Sequence, residues 1–463
     1  MNTVLDKQAI SQPLAINGGP KAMPQDYDWS HLNWPIITDE DEQAVLEVLR
    51  SRSMSATDIT KLFEAEFAQW IGAEYALACC NGTAALLEAM WACGVGAGDE
   101  IICPSVTYWA SAAPALQLGA AVNFADISPK SLCIDPNDIE HRIGPRTKAI
   151  VVVHYCGHPC DMDPIMDIAR RHNVKVIEDV SHAHGALYKG RKCGTIGDIA
   201  AMSLMTGKGF AIGEGGMLVT NNRSLYEHAI AYGHYERTGA ASRFNPADKQ
   251  ITDDGLSRFC GLPIGGVKHR LIQTASAMGR VQLKHFDARM REIQAAMNTF
   301  WDLLEGVPGI RAHRPADKGT TMGCWYYARG LFAQSELDEI DCAKFCEAVS
   351  AEGYKMLPGA NKPLHLHPVF HEADIFRQGK PTMVAFGQRD VRQGPGSLPV
   401  AESINNIAFD VPWFKHNNPA AIVPVATALA KVAMHFARQA RKAGTHKGTL
   451  PVAGVVTRDS ASR

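Results

Sequence analysis

Short apolar runs recur through the first half of the chain, at 75–80, 100–103, 121–125, 148–153 and 174–177. Helical patterns separate most of them, at 83–93, 107–118, 135–142 and 161–172, and two further strands are expected at 199–204 and 216–220. Strands alternating with helices predict an α/β domain around a mostly parallel sheet. Ligands of such sheets bind outside the carboxyl ends of the strands. The residues that follow each apolar run are therefore the place to look for chemistry.

The flanking segments read differently. Residues 1–35 resemble an arm: Leu14-Ala-Ile-Asn-Gly-Gly-Pro20 is rich in turn formers, and Trp29 and Trp34 offer anchors onto another surface. A helix is expected from Thr38, with Asp39 and Glu40 in its first turn, to about Arg50. A second is expected over Asp58 to Ile71, where Leu62, Phe63, Phe67 and Trp70 fall at helical spacing. A polar stretch, 233–266, carries His234-Tyr-Glu-Arg237 and reads as a long functional or disordered loop. A helix over 271–304 then bridges from a large domain, 36–305, to a smaller α+β domain, 306–445, and a tail at 446–463.

Composition narrows the class of protein. The formal net charge of -2 gives no basic excess for nucleic acid or an anionic membrane. No run in the sequence reads as a membrane span, which needs about 20 apolar residues, and the polar start from Met1 to Pro13 lacks the core of a secretory signal. The twelve cysteines follow no framework spacing and read as thiols of a cytoplasmic protein. His154-Tyr-Cys156-Gly-His158-Pro-Cys160 raises the question of a metal. The ligand count is incomplete, no second Cys/His pair stands at finger-like spacing, and the segment reads as a strand end with a turn at Gly157 to Pro159.

Three motifs at strand ends carry candidate chemistry. Asn81-Gly82-Thr83-Ala84-Ala85 follows one strand and opens a helix. Unpaired N–H groups, a hydroxyl and the positive end of the helix dipole would cradle a phosphate there. An ordinary helix cap by Asn81 or Thr83 explains the same letters. Glu178-Asp179-Val-Ser181-His182-Ala-His184-Gly185 ends another strand in two acids and two histidines. Asp179 would pair with a cationic ring nitrogen and His182 would donate to an oxygen of the same ring; a metal site or a capped helix is the alternative. Ser203-Leu-Met-Thr-Gly207-Lys208-Gly209 places one lysine between glycines. It is not a P-loop, because Met202 stands in place of the first glycine and Gly209 in place of Ser/Thr. Partial desolvation would turn this lysine from a surface charge into an amine nucleophile. Phosphate anchor, ring-nitrogen partner, phosphate-reaching Ser203 and lysine are together the parts of a pyridoxal 5'-phosphate (PLP) site.

With these pieces assembled, the sequence resembles the DegT/StrS-type sugar aminotransferases, which are PLP enzymes of fold type I. The likeness runs from about Leu14 into the C-terminal domain. It rests on Asn-Gly-Thr-Ala-Ala-Leu at 81–86, Gly-Asp-Glu-Ile-Ile-Cys-Pro-Ser at 98–105, Ile-Glu-Asp-Val-Ser-His-Ala-His-Gly-Ala at 177–186, and Ser203 to Lys208 with the Gly-Glu-Gly-Gly that follows. The resemblance implies that Lys208 carries the cofactor and shuttles the proton, and that Asp179 keeps the pyridine nitrogen protonated. It places His182 beside the ring oxygen, Gly82, Thr83, Ala84 and Ser203 around the phosphate, and Tyr108 on the ring face. Trp109 beside it reads as core packing. Lys268, in Gly266-Val-Lys-His-Arg270, stands where many members have an asparagine that reaches the partner subunit's phosphate. A homodimer with shared sites is thus implied. So is transfer of an amino group from glutamate or glutamine to a keto-sugar or keto-cyclitol. Related dehydratases place histidine at the lysine position, so Lys208 argues against dehydration, and the intact site residues argue against a non-catalytic regulatory homologue. Lys362-Pro-Leu-His365-Leu-His367 would line a polyol pocket or form an ordinary turn.

Overall fold

The computed structural model describes residues 4–239, 250–338 and 340–442. Seven strands form the main sheet: β1 (Tyr75–Cys79), β2 (Glu100–Pro104), β3 (Ala121–Ala125), β4 (Thr147–Val153), β5 (Lys175–Asp179), β6 (Ile199–Ser203) and β7 (Gly216–Thr220). Their order is β1-β7-β6-β5-β4-β2-β3, with β7 antiparallel to both of its neighbours and every pairing from β6 to β3 parallel. The strands are buried almost throughout, as expected of a sheet covered on both faces. Each of the seven predicted strands is present within two residues of its expected ends.

The longer helices are α1 (Asp39–Ser51), α2 (Asp58–Ile71), α3 (Gly82–Ala92), α4 (Met162–His172), α5 (Arg223–Gly233) and α6 (Gln273–Leu303). The start of α1 is set locally. Thr38 and Asp41 form a reciprocal capping box, and four acids fill the first turn, where the helix dipole favours negative charge. Buried Phe63 and Phe67 make α2 a core helix, and the Phe67 ring meets Phe210 edge-on at 5.6 Å, just beyond the lysine loop.

Before α6, expectations change at two places. Residues 107–118 are not one helix: a single 3-10 turn at Trp109–Ser111 precedes a short helix at Pro114–Gln117. Pro114 has no N–H to donate into a continuing helix, so the chain restarts there. Nor does the segment 233–266 begin as a disordered loop. His234, Glu236 and Arg237 are buried, and the Arg237 guanidinium pairs with buried Glu64 at 2.8 Å. The stretch from His234 to Arg237 is polar because it closes an internal ionic network. The segment's central part, 240–249, lies outside the described residues, as does the tail.

Beyond α6 lies a second, antiparallel sheet of β8 (Ile310–Ala312), β9 (Arg329–Phe332) and β10 (Ala408–Asp410), with α7 (Cys342–Ala351) and α8 (Pro419–Lys442). By length and composition Pro419–Ala440 is apolar enough to cross a membrane, contrary to the expectation that no run is. In the fold it is mostly buried and packs against α6 and α7.

The first part of the arm is held by one carboxylate. Buried Glu352 accepts the N–H groups of Ala15 and Ala22, each at 2.8 Å, and pairs with buried Lys431 of α8 at 2.8 Å. Lys431 donates in turn to the Pro20 carbonyl. The turn-rich opening thus wraps a buried ion pair of its own chain. Replacing Glu352 by Ala strands a buried ammonium and two N–H groups, and should cost about 3–5 kcal/mol, read as a lower denaturant midpoint. A loss below about 1 kcal/mol would show the pair to be dispensable.

Candidate active site

The carboxyl ends of β1, β4, β5 and β6 gather the three motifs. In register, Val153 lies beside Asp179, Asp179 beside Ala201, and Ser203 beside Gly216, which also faces Cys79. Gly216 is required there, because a Cβ would collide with the Asn81 carbonyl.

The loop from β6 to β7 folds on itself through the Leu204 N–H to the Gly215 carbonyl (2.9 Å), Thr206 N–H to Gly213 (2.8 Å) and Lys208 N–H to Met205 (2.8 Å). It carries Lys208 inward, leaving the residue 7% exposed. Its Nζ lies 4.2 Å from the centre of the Tyr326 ring, with no carboxylate at ion-pair distance among the described residues. Burial lowers its pKa to about 8, against the opposing pull of Asp179. Gly209 is required by close approach, since a Cβ would collide with Cys324. On the other side the Trp34 indole donates to the Lys208 carbonyl at 2.8 Å and packs on Trp413 at 5.0 Å, which meets Tyr326 edge-on. The arm's tryptophan thus anchors onto the lysine loop itself. Trp29 is exposed.

Asp179 is buried at the end of β5. One oxygen accepts the Ser181 N–H at 3.0 Å and the other the Ser111 hydroxyl at 2.7 Å. His182 is buried too, and desolvation holds its pKa well below the usual imidazole value, so the ring is neutral. Its Nδ1 faces the Cys156 N–H at 3.4 Å, which leaves the proton on Nε2 as a donor. Tyr326 meets this ring edge-on at 4.8 Å.

At the start of α3, Asn81 caps the helix by accepting the Ala84 N–H at 2.8 Å. That corrects the expectation for Ala84, whose N–H is already taken; Gly82 and Thr83 remain to meet an anion. A Cβ at Gly82 would stand 2.7 Å from both Cα and Cβ of Ser203, so the glycine is what lets cradle and serine approach. The segment holding Lys268 docks alongside, with the Cys80 N–H on the His269 carbonyl at 2.6 Å. Lys268 itself is exposed and does not line the cavity of its own chain.

These groups surround a cavity of about 310 Å³ whose walls include Thr83, Tyr108, Asp179, His182, Ser203 and Lys208. Tyr326, Tyr327 and Asn361 close it. A second chamber of about 430 Å³ shares Thr107, Tyr108 and Asn361 with the first and continues past Trp109, Lys362, Leu364, His367 and Phe370. Trp109 is 47% exposed, so the core-packing expectation for it was wrong. The histidines divide. His365 is buried between the Ser105 hydroxyl (2.7 Å) and Glu402 (3.1 Å), whereas His367 and Lys362 face the chamber. His154 is engaged with Glu178 at 2.9 Å and with the Cys160 N–H at 3.0 Å; Glu178 also accepts three further backbone N–H groups.

Sequence reasoning missed Ser111, Tyr326, Tyr327 and Asn361. Ser111 lay inside a stretch read as helix. The two tyrosines sit where Trp325 and Tyr327 have φ of 56° and 60°, a left-handed backbone that no periodic pattern announces. The donor set fits PLP: a glycine-tight cradle backed by a serine, an ionisable acid with free lone pairs, a neutral histidine donor and an unpaired buried amine, all on one cavity.

Comparison with known proteins agrees with this geometry. Residues 35–429 match the DegT/DnrJ/EryC1/StrS aminotransferase family. A Micromonospora echinospora protein provisionally named an L-glutamine:3-amino-2,3-dideoxy-scyllo-inosose aminotransferase is 32% identical over 88% of this chain and 93% of its own. An L-glutamine:2-deoxy-scyllo-inosose aminotransferase of Streptomyces kanamyceticus is 33% identical over 74% of this chain and 80% of its own. Among solved structures, an aminotransferase from Psychrobacter cryohalolentis superposes with a TM-score of 0.73 at 28% identity, covering 87% of this chain and 99% of that one. A buried lysine, acid and histidine at the strand ends of this sheet, together with a match along most of the chain, place the protein in the PLP-dependent DegT/DnrJ/EryC1/StrS aminotransferase family.

Proposed function

We propose that the protein transfers an amino group from glutamine or glutamate to a keto-cyclitol or keto-sugar. The observation that carries this is the desolvated, unpaired Lys208 amine facing Asp179 and His182 across one cavity. The relatives that name glutamine and inosose derivatives support the choice of substrates.

In this reading Gly82, Thr83 and Ser203 hold the PLP phosphate, Tyr108 covers the ring, His182 Nε2 donates to the ring oxygen and Asp179 takes the ring nitrogen. Bound there, PLP supplies an electron sink for the donor's α-carbon. Lys208 Nζ holds the cofactor until the donor amine displaces it. Once released, the same amine would accept the donor's α-proton and return it from the face on which it sits; its pKa near 8 suits both duties near neutral pH. The acceptor enters by the second chamber, where Lys362 and His367 offer polar contacts and Trp109 an aromatic face. A homodimer, in which Lys268 serves the partner's cradle, accounts for the exposed apolar side chains of Phe259, Leu262, Ile264 and Ile272. The free thiols suit a cytoplasmic setting. We read residues 36–305 as the large domain and 306–445 as the small one.

Two measurements test this. Mixed with glutamine or glutamate, the PLP-loaded protein should convert to the pyridoxamine form, and an added keto-cyclitol should reverse the change and leave as an amine, with ping-pong kinetics. Lys208→Ala should lower the rate by about 10²–10⁴-fold. A deoxy product in place of an amine, or an unaffected Lys208→Ala variant, would contradict the reading. Second, the neutral fraction of Lys208 grows as pH rises toward its pKa. The rate at which the cofactor-free chain captures added PLP should therefore climb with pH and level off above about 8. A rate still climbing past pH 10, as for a solvated lysine, would contradict the burial argument.

A further inference from the structure

Asp179 is not held by backbone alone. The Ser111 hydroxyl donates to its Oδ2 at 2.7 Å, and the Thr107 hydroxyl lies 3.0 Å from Ser111 Oγ. All three residues are buried, so water does not compete for these bonds. An ionised carboxylate only accepts, so the Ser111 proton is committed to Asp179. Ser111 Oγ must then accept, and Thr107 must donate. The chain of bonds has one direction: Thr107 to Ser111 to Asp179. Thr107 borders both chambers, and Ser111 follows Tyr108 by one 3-10 turn.

We propose that Ser111, backed by Thr107, is a positioning residue that sets the protonation of the cofactor's ring nitrogen through Asp179. The inference rests on Asp179 being the partner of that nitrogen. A proton shared between a ring nitrogen and a carboxylate goes to whichever is the stronger base. Each donor on the carboxylate stabilises its anion and lowers its basicity. The Ser181 N–H on one oxygen and the Ser111 hydroxyl on the other both favour the carboxylate's anion, which leaves the proton to the ring. Removing Ser111 makes Asp179 a stronger base and draws the proton from the ring, which weakens the electron sink. The Thr107 donor polarises the Ser111 hydroxyl and strengthens its hold. The same short stretch thus carries both Tyr108, which lines the cavity, and the hydroxyl that holds Asp179.

The test uses full-length protein loaded with PLP labelled with ¹⁵N in the ring. Ser111→Ala should move the nitrogen resonance toward its unprotonated position and slow conversion by the amino donor about tenfold, with donor KM within about twofold of the parent. Ser111→Thr, which keeps the hydroxyl, should restore both. Thr107→Val, which leaves Ser111 in place, should give a smaller shift in the same direction. Parent-like resonances in both Ser111→Ala and Thr107→Val would overturn the proposal. So would equal losses in Ser111→Ala and Ser111→Thr, since packing alone would explain them. Asp179→Asn separates the two layers. If it leaves the nitrogen protonated, Asp179 is not its partner and the underlying reading fails as well. If it shifts the nitrogen while Ser111→Ala does not, only the role of Ser111 falls.

Discussion

An amine is kept where water cannot stabilise its charge and no carboxylate neutralises it. That constraint on Lys208 organises the site. An ion pair would restore the ordinary lysine pKa and remove the nucleophile, and full solvation would do the same. The surroundings therefore exclude both: an aromatic face from Tyr326, a tight backbone approach at Gly209, and the Trp34 indole closing the carbonyl side. Asp179 is near enough to oppose the shift but not to pair with the amine. Its own oxygens are turned to Ser181 and Ser111.

The enclosure draws on distant parts of the chain. Trp34 comes from the arm, Tyr326 from the stretch leading into β9, and Trp413 from the approach to α8. Glu352 and Lys431 fix the beginning of the arm on the second sheet's helices, and Lys415 fixes its end by donating to the Leu32 carbonyl at 3.0 Å. A site whose polar residues lie on the main sheet is thus desolvated by residues that lie elsewhere. The arrangement couples the integrity of the second sheet to the reactivity of a lysine in the first.

Much of this was legible in sequence because each motif follows a strand. The apolar runs placed the strand ends, and the sheet rule turned strand ends into a site containing Gly82, Asp179, Ser203 and Lys208. What stayed hidden was either a local choice the letters left open or a contact between segments far apart in the chain. Asn81 consuming the Ala84 N–H is a local event that the motif allowed but did not decide. The Ser111 bond to Asp179 spans 68 residues. The left-handed turns at Trp325 and Tyr327 leave no periodic trace. The polar segment after α5 misled for the same reason. Its charges pair inside the protein with residues of α2 and α3, and charge in a sequence does not say which side of the surface it lies on.

Lys208 has a rival that makes the central claim sharply testable. Lys415 is also buried without a carboxylate partner, and desolvation takes its pKa to about 7. Its amine, however, is spent on the Leu32 and Trp413 carbonyls and does not face the cavity. Reducing the PLP-loaded protein with borohydride and mapping the pyridoxyl label by peptide mass spectrometry compares the two directly. The label should fall on the peptide that contains Lys208, close to one per chain. A label on Lys415, or no stable label with PLP bound, would contradict the account.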